Sequence, residues 1–324
     1  MIDFRYHVVS LVSVFLALAV GIVLGAGPLK DRVTDSLVTA LQQQTKSLRD
    51  ETKALRDDKD AATAAVQRRD EVLTAVSPAL TADQLGGRTV VLVLLPGADT
   101  GGLDPLIAAL KSAGATVTGR ITVRSDWTDP DRRTFRDELA NQLQSALPTA
   151  VPGSGGTDRV LAALLARATV TAELVSAGAP DNQGQTILEG LRSGELIDVD
   201  GSLQGRATLG LLVAAPVATS DPAGPSPAAG ATLDAEVALA EALDAGSSGA
   251  VAQGPTSAAG PGGLLAAIRD DDAVAGKVST VDTGGTPMGD IAAVLALSQQ
   301  LKGEAGSYGF GAGADQPLPK LPQA

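Results

Sequence analysis

Asp99-Thr100-Gly101 and Asp282-Thr283-Gly284 are two Asp-Thr-Gly triplets standing 183 residues apart. Aspartic proteases use two such triplets, one per β lobe, to bring paired carboxylates together around a shared proton. The surroundings argue against that chemistry here. Each triplet follows a strand-like stretch and precedes a helical pattern, whereas the protease fold is all-β. In a strand-to-helix turn, Asp or Thr caps the helix and Gly makes the turn. The same loops, "PGADTGG" (96–102) and "DTGGTPMGD" (282–290), support a different chemistry. Ligands of open α/β sheets bind beyond the carboxyl ends of strands, where helix amino termini hold anions. On this reading a small-ligand pocket is built by Asp99, Gly101, Gly102, Asp282, Gly284 and Gly285, with ordinary turns as the alternative. Neither loop matches the dinucleotide fingerprint or the phosphate-loop pattern. A third Gly-rich stretch, "PGSGGTD" (152–158), reads as a linker.

Composition excludes other chemistries. There is no Cys and a single His, His7, so no zinc constellation, disulfide or thiolate site is available. A Ser-His-Asp triad would have to use His7, which borders a membrane-type segment. No catalytic residue and no cofactor emerges, and the expectation is a protein that is not an enzyme. The net charge of −12, without a basic cluster, argues against nucleic-acid and anionic-lipid partners. Trp127, the sole Trp, reads as part of the core, with an interface anchor as the alternative.

The elements that must position these loops begin with a long apolar run. From Val8 to Leu29 there are 22 residues without a charge, enough for a membrane-spanning helix of roughly 20 residues. Ser13, Ala17, Gly21 and Gly25 recur every fourth residue and place small side chains along one face, suited to close helix packing. A cleavable signal sequence is the alternative, with Gly25-Ala26-Gly27 as its small-residue site. Phe4, Tyr6 and His7 stand at the membrane edge, and Pro28 suits a kink or the first turn of a new helix.

Behind it, Leu41, Leu48 and Leu55 are seven apart, and nine Lys/Arg interleave with nine Asp/Glu between Lys30 and Glu71. This predicts a coiled-coil stalk that self-associates, ended by Ser77-Pro78, with a lone helix packed back on the globular part as the alternative. The remainder alternates strand-like and helical segments. "RTVVLVLLPG" (88–97), "ATVTGRITV" (115–123), "ATLGLLVAAPV" (207–217), "GAVAQGP" (249–255) and "GKVSTVD" (276–282) read as strands. Helical spacing falls at 103–113, 131–147, 157–168, 231–244, 264–269 and 288–301, with a Pro/Gly-rich loop at 220–230. The expected fold is α/β: an open, mostly parallel sheet flanked by helices, behind a transmembrane helix and a coiled-coil stalk. The layout is then anchor 1–29, stalk 30–77, α/β domain 78–302 and a disordered tail 303–324.

The opening "MIDFRYHVVSLVSVFLALAVGIVLGAGPL", the stalk, and "VSTVD…G…AAVLALSQQLKGEAGSYG" (278–309) resemble the actinobacterial family named for mycobacterial copper-transport protein B, MctB. The resemblance covers essentially the whole chain. It implies a cell-envelope membrane protein with a role in copper transport or homeostasis, and a single-pass chain whose globular part is extracytoplasmic. The role it implies for some relatives is that of a scaffold that regulates envelope assembly or cell division through a protein partner. Copper enters only through this resemblance. Cu(I) prefers thiolate and thioether ligands and Cu(II) accepts imidazole. One His and two Met, Met1 and Met288, hold no chelating spacing within one chain.

Overall fold

Val90, Leu92 and Leu94 turn to one side of a strand and Val91 and Val93 to the other, and all five are buried. A strand buried on both faces needs helices above and below it. The structure is a computed structural model describing residues 4–25, 29–146, 155–178, 181–201, 203, 205–217 and 227–321. Pro28, Ala26-Gly27 of the small-residue site, 152–154 of the linker, 220–226 of the loop and the last three residues lie outside the described residues.

The helices α1 (Phe4–Gly25) and α2 (Leu29–Thr81) come first. The chain then runs β1 (Thr89–Leu94), α3 (Leu103–Ser112), β2 (Thr116–Val123), α4 (Arg133–Ala146), α5 (Thr157–Thr169), α6 (Asn182–Ser193) and β3 (Ile197–Asp200). It continues through β4 (Leu209–Val213), α7 (Pro227–Gly246), β5 (Ala250–Gln253), α8 (Leu264–Asp270) and α9 (Asp272–Ala275). It ends with β6 (Ser279–Val281), α10 (Pro287–Gln300) and β7 (Ser307–Tyr308). Residues 1–68 and 69–324 form two compact units.

In the first unit, Tyr6–Gly25 is long and apolar enough to cross a membrane, with a mean hydropathy of 2.7. The Ser13 hydroxyl bonds back to the carbonyls of Val9 and Ser10, so its polarity is spent within its own helix. On α2, Leu41, Leu48 and Leu55 are 60, 55 and 65 % exposed, an apolar row open along a helix whose other faces are charged.

Pro78 does not end α2, contrary to the expected stop: the helix runs on to Thr81. Proline removes a single hydrogen bond, the one its N–H would give to the Thr74 carbonyl, and in a final turn that loss is affordable. The Thr81 hydroxyl bonds a different carbonyl, that of Ser77, at 2.8 Å and leaves the Thr74 carbonyl as it is. Leu85 follows, fully buried, with its N–H on the Ala113 carbonyl.

The sheet order is β3–β2–β1–β4–β5–β6–β7. Every pairing is parallel except β2–β3, which is antiparallel. Alternation then sorts the core into two layers. Leu103, Leu106 and Leu110 of α3 and Ala293, Val294 and Leu297 of α10 pack with Val90, Leu92 and Leu94 on one face. Helices α5, α6, α7 and α8 pack with Val91, Val93, Leu212 and Ala252 on the other. Trp127, 1 % exposed, belongs to this second layer. The crossovers through α3 and α10 share a face but step in opposite directions along the sheet, so they have opposite hands. The right-handed crossover is the near-universal rule, and α10 makes the exception.

The tail from Gly303 is the second correction: it is ordered through Leu321 and contributes β7. Its composition resembles a disordered segment, but its glycines serve a specific closure. Asp282, fully buried at the end of β6, accepts the N–H groups of Phe310 (2.8 Å) and Gly311 (2.9 Å). A Cβ at Gly309 would sit 2.0 Å from Asp282 Oδ1, so only glycine lets the backbone wrap that carboxylate. Arg269 of α8 completes the clamp. It lies 2.9 Å from Asp282 and donates to the carbonyls of Ala312 (2.7 Å) and Tyr308 (3.1 Å) and to the Thr280 hydroxyl (2.8 Å). Removing one member of a buried pair leaves the other charge uncompensated, at roughly 3–5 kcal/mol. Asp282→Asn is therefore expected to lower the urea midpoint and to make residues 303–321 the first site of proteolysis. Cleavage elsewhere first would contradict the clamp.

Candidate functional site

The two Gly-rich loops do meet. A Cβ on Gly102 would lie 2.8 Å from the Gly285 Cα, so the loops after β1 and β6 touch through bare backbone. Gly285 has φ +78°, the left-handed region glycine favours, and a Cβ on Gly284 would lie 2.9 Å from the Gly254 carbonyl. The two aspartates of these loops have separate duties. Asp99 is exposed and accepts the Gly101 N–H at 2.9 Å, an Asx turn that starts the approach to α3. Asp282 is the buried clamp described above. They form no proton-sharing pair: one is solvated and the other is ion-paired.

Below the Gly102–Gly285 contact lies a cavity of about 390 Å3, built entirely within residues 69–324. Three elements wall it. Gly102, Pro105, Ala109 and Ser112 step down one face of α3; Thr74, Ser77 and Pro78 come from the last turns of α2; Thr286, Pro287 and Asp290 come from the start of α10. Small side chains at three- and four-residue steps leave the groove open.

The start of α10 explains why Asp290 is there. Thr286 caps the helix by accepting the Gly289 N–H at 3.1 Å, Pro287 takes the first helical position, and the Asp290 N–H bonds the Thr286 carbonyl at 3.0 Å. A Cβ on Gly289 would lie 2.1 Å from the Thr283 carbonyl, so that turn packs on bare backbone as well. Asp290 is 6 % exposed, and among the described residues no donor reaches its Oδ1. Burial pushes its carboxyl up to about 7, despite a place in a first helical turn where the dipole favours the charged form. Among the described residues it is the only charged side chain lining the cavity.

Of the residues expected to line a pocket, Gly102 and Gly285 line this one, whereas Asp99, Gly101, Asp282 and Gly284 do not. Asp290, Thr74 and Pro78 went unrecognised in the sequence. Asp290 carried one signal, a lone acid between a Pro-initiated turn and the apolar run "IAAVLAL". No group of three or more His, Cys, Asp or Glu among the described residues could hold a metal ion. His7 is exposed at the start of α1, and Met288 is half-buried in the first turn of α10.

These features define an open α/β protein behind one helix capable of spanning a membrane. Residues 1–319 match the family described as "Copper transport outer membrane protein, MctB", and the chain belongs to that family. It is 29 % identical over 321 residues to the copper transporter MctB of Mycobacterium tuberculosis (strain ATCC 25618 / H37Rv), covering 97 % of this chain and 98 % of that one. The Mycobacterium leprae (strain TN) copper transporter MctB is 30 % identical over 324 residues, again covering 97 % and 98 %. The family is named for transport, not for an enzyme.

Two measurements check the site. A carboxyl raised in the folded state favours folding while protonated, so its contribution is complete below about pH 4 and is lost as pH rises through about 7. Asp290→Asn is expected to flatten the fall in unfolding free energy over that window relative to the parent chain. Gly102→Ala, which forces two backbones apart, is expected to cost about 1–3 kcal/mol in chemical unfolding. Unaltered stability would mean that the loops do not touch.

Proposed function

We propose that this chain is a membrane-anchored component of copper transport or copper homeostasis at the cell envelope. In this reading α1 is retained in the membrane, α2 is a self-associating stalk, and the α/β domain is extracytoplasmic. The observation that carries it is the family match across residues 1–319, which takes in the apolar helix, α2 and the α/β domain together. The relatives are named copper transporters, which supplies copper as the cargo.

The small-residue face of Ser13, Ala17, Gly21 and Gly25 favours packing between anchors, and a shared anchor favours parallel pairing of α2. The open row of Leu41, Leu48 and Leu55 suits the seam of such a pair. Without Cys and with one His, a single chain holds no soft-ligand cluster, so copper would be handled by an assembly of copies or with a protein partner. The same exposed leucine row favours a second reading, in which the stalk is a scaffold for an envelope partner and copper effects are indirect.

The test is complementation of cells lacking the gene. The full chain is expected to restore copper tolerance and cellular copper content. A chain without residues 1–28 is expected to fail, and Leu48→Lys to lose both cross-linked dimer and tolerance. Copper content unchanged by the deletion would refute the transport reading. Altered envelope integrity at unchanged copper content would favour the scaffold.

A further inference from the structure

We propose that the cavity between α3, the end of α2 and the start of α10 binds a primary ammonium group on an apolar stem, with Asp290 as its anchor. The inference is independent of the copper reading and concerns a different chemistry.

Three observations select the ligand. The first is Asp290 itself: 94 % buried, since 6 % is exposed, lining the cavity, with no described donor on Oδ1. A buried carboxyl oxygen without a donor is costly, and a cation is the partner that offsets most of that cost.

The second is the balance of donors and acceptors. Helix amino termini usually invite anions, but Pro105 and Pro287 have no N–H to give in the first turns of α3 and α10. The Thr286 hydroxyl is committed, donating to the Thr283 carbonyl at 2.7 Å while accepting from Gly289. Pro78 likewise leaves the Thr74 carbonyl without the N–H that an ordinary residue would supply. The three prolines thus remove fixed N–H donors from the wall without removing its carbonyl acceptors.

The third is the rest of the wall, in which Pro78, Pro105, Ala108, Ala109 and Pro287 offer an apolar surface to a stem. The chain's net charge of −12 adds long-range attraction for a cation. An ammonium beside Asp290 also favours its ionised form, so affinity should increase as pH rises through about 7.

The ammonium has two natural sources, a free amine or a lysine side chain of a docking protein, and the probes separate them. The full chain in detergent is titrated with benzylammonium, benzyl alcohol, benzoate and the peptide Ac-Ala-Lys-Ala-NH2, followed by calorimetry and ligand-observed NMR at pH 6 and pH 8. Benzylammonium is expected to bind at least ten-fold more tightly than the alcohol or benzoate, and more tightly at pH 8. Asp290→Asn is expected to abolish that preference. Ala108→Leu, on the exposed rim, is expected to block binding while leaving Asp290 intact, which separates loss of the anchor from loss of the fold. Tighter binding of the peptide than of benzylammonium would identify a protein lysine as the occupant, and the reverse a free amine. Equal binding of benzylammonium and benzyl alcohol, a preference for benzoate, or no binding by the parent chain would overturn the proposal.

Discussion

The arrangement of the α/β domain depends on a carboxylate that water never reaches. Asp282 directly follows β6 and is held by two backbone amides of the final segment and by Arg269, whose side chain is 3 % exposed. Charges so deeply buried persist only when every hydrogen-bonding position is answered, and Arg269 spends its donors on Thr280, Tyr308, Ala312 and Asp282. One cluster thereby ties α8, β6 and the last strand together. This explains how a short edge strand and a crossover of the rarer hand are maintained: β7 pairs only at Ser307 and Tyr308, too little to hold itself.

That dependence also accounts for what the sequence made legible. Strands whose two faces are both buried announce themselves as unbroken apolar runs, so 88–97 and 207–217 could be read directly as β1 and β4. Helices with one apolar stripe, such as α3 and α5, were equally plain. The segment leading to α6 and β3 was not, because β3 is a four-residue edge strand, "IDVD", whose Asp198 and Asp200 pair with Arg124 and Arg120 across the strands. Its place comes from those partners, seventy and more residues away. The tail failed for a similar reason. Gly309 and Gly311 look like flexibility until the carboxylate they enclose is located, and nothing local to residues 303–321 points to Asp282.

The two Asp-Thr-Gly triplets illustrate how identical residues acquire opposite roles from their surroundings. Asp99 faces solvent and shapes a turn, while Asp282 is sealed and closes a sheet edge. Loop position was readable in both cases, since Gly-rich stretches following strand-like segments place them at strand ends. Burial was not readable, because it is set by the closing segment in one case and by solvent in the other. Asp290 is the third variation: buried as well, at 6 % exposure, but with no donor on its Oδ1 among the described residues. Burial there outweighs the dipole of α10, consistent with a dipole contribution of about 0.3–1 kcal/mol at a helix terminus against a larger desolvation cost.

Membership of a copper-transport family and the side chains available lead to one further step. A soft cation needs thiolate, thioether or imidazole, and this chain supplies His7 beside a membrane-type helix and Met288 in the α/β domain, with Met1 at its beginning. His7 and Met288 belong to different compact units, and no group of three or more His, Cys, Asp or Glu among the described residues could hold a metal ion. Repeating the chain multiplies each donor at its own level. Parallel copies joined through α1 and α2 would gather several His7 side chains at one membrane edge, a density one copy cannot reach. In the proposed reading, the geometry of association between copies, more than any single residue, is therefore what a direct copper role would depend on.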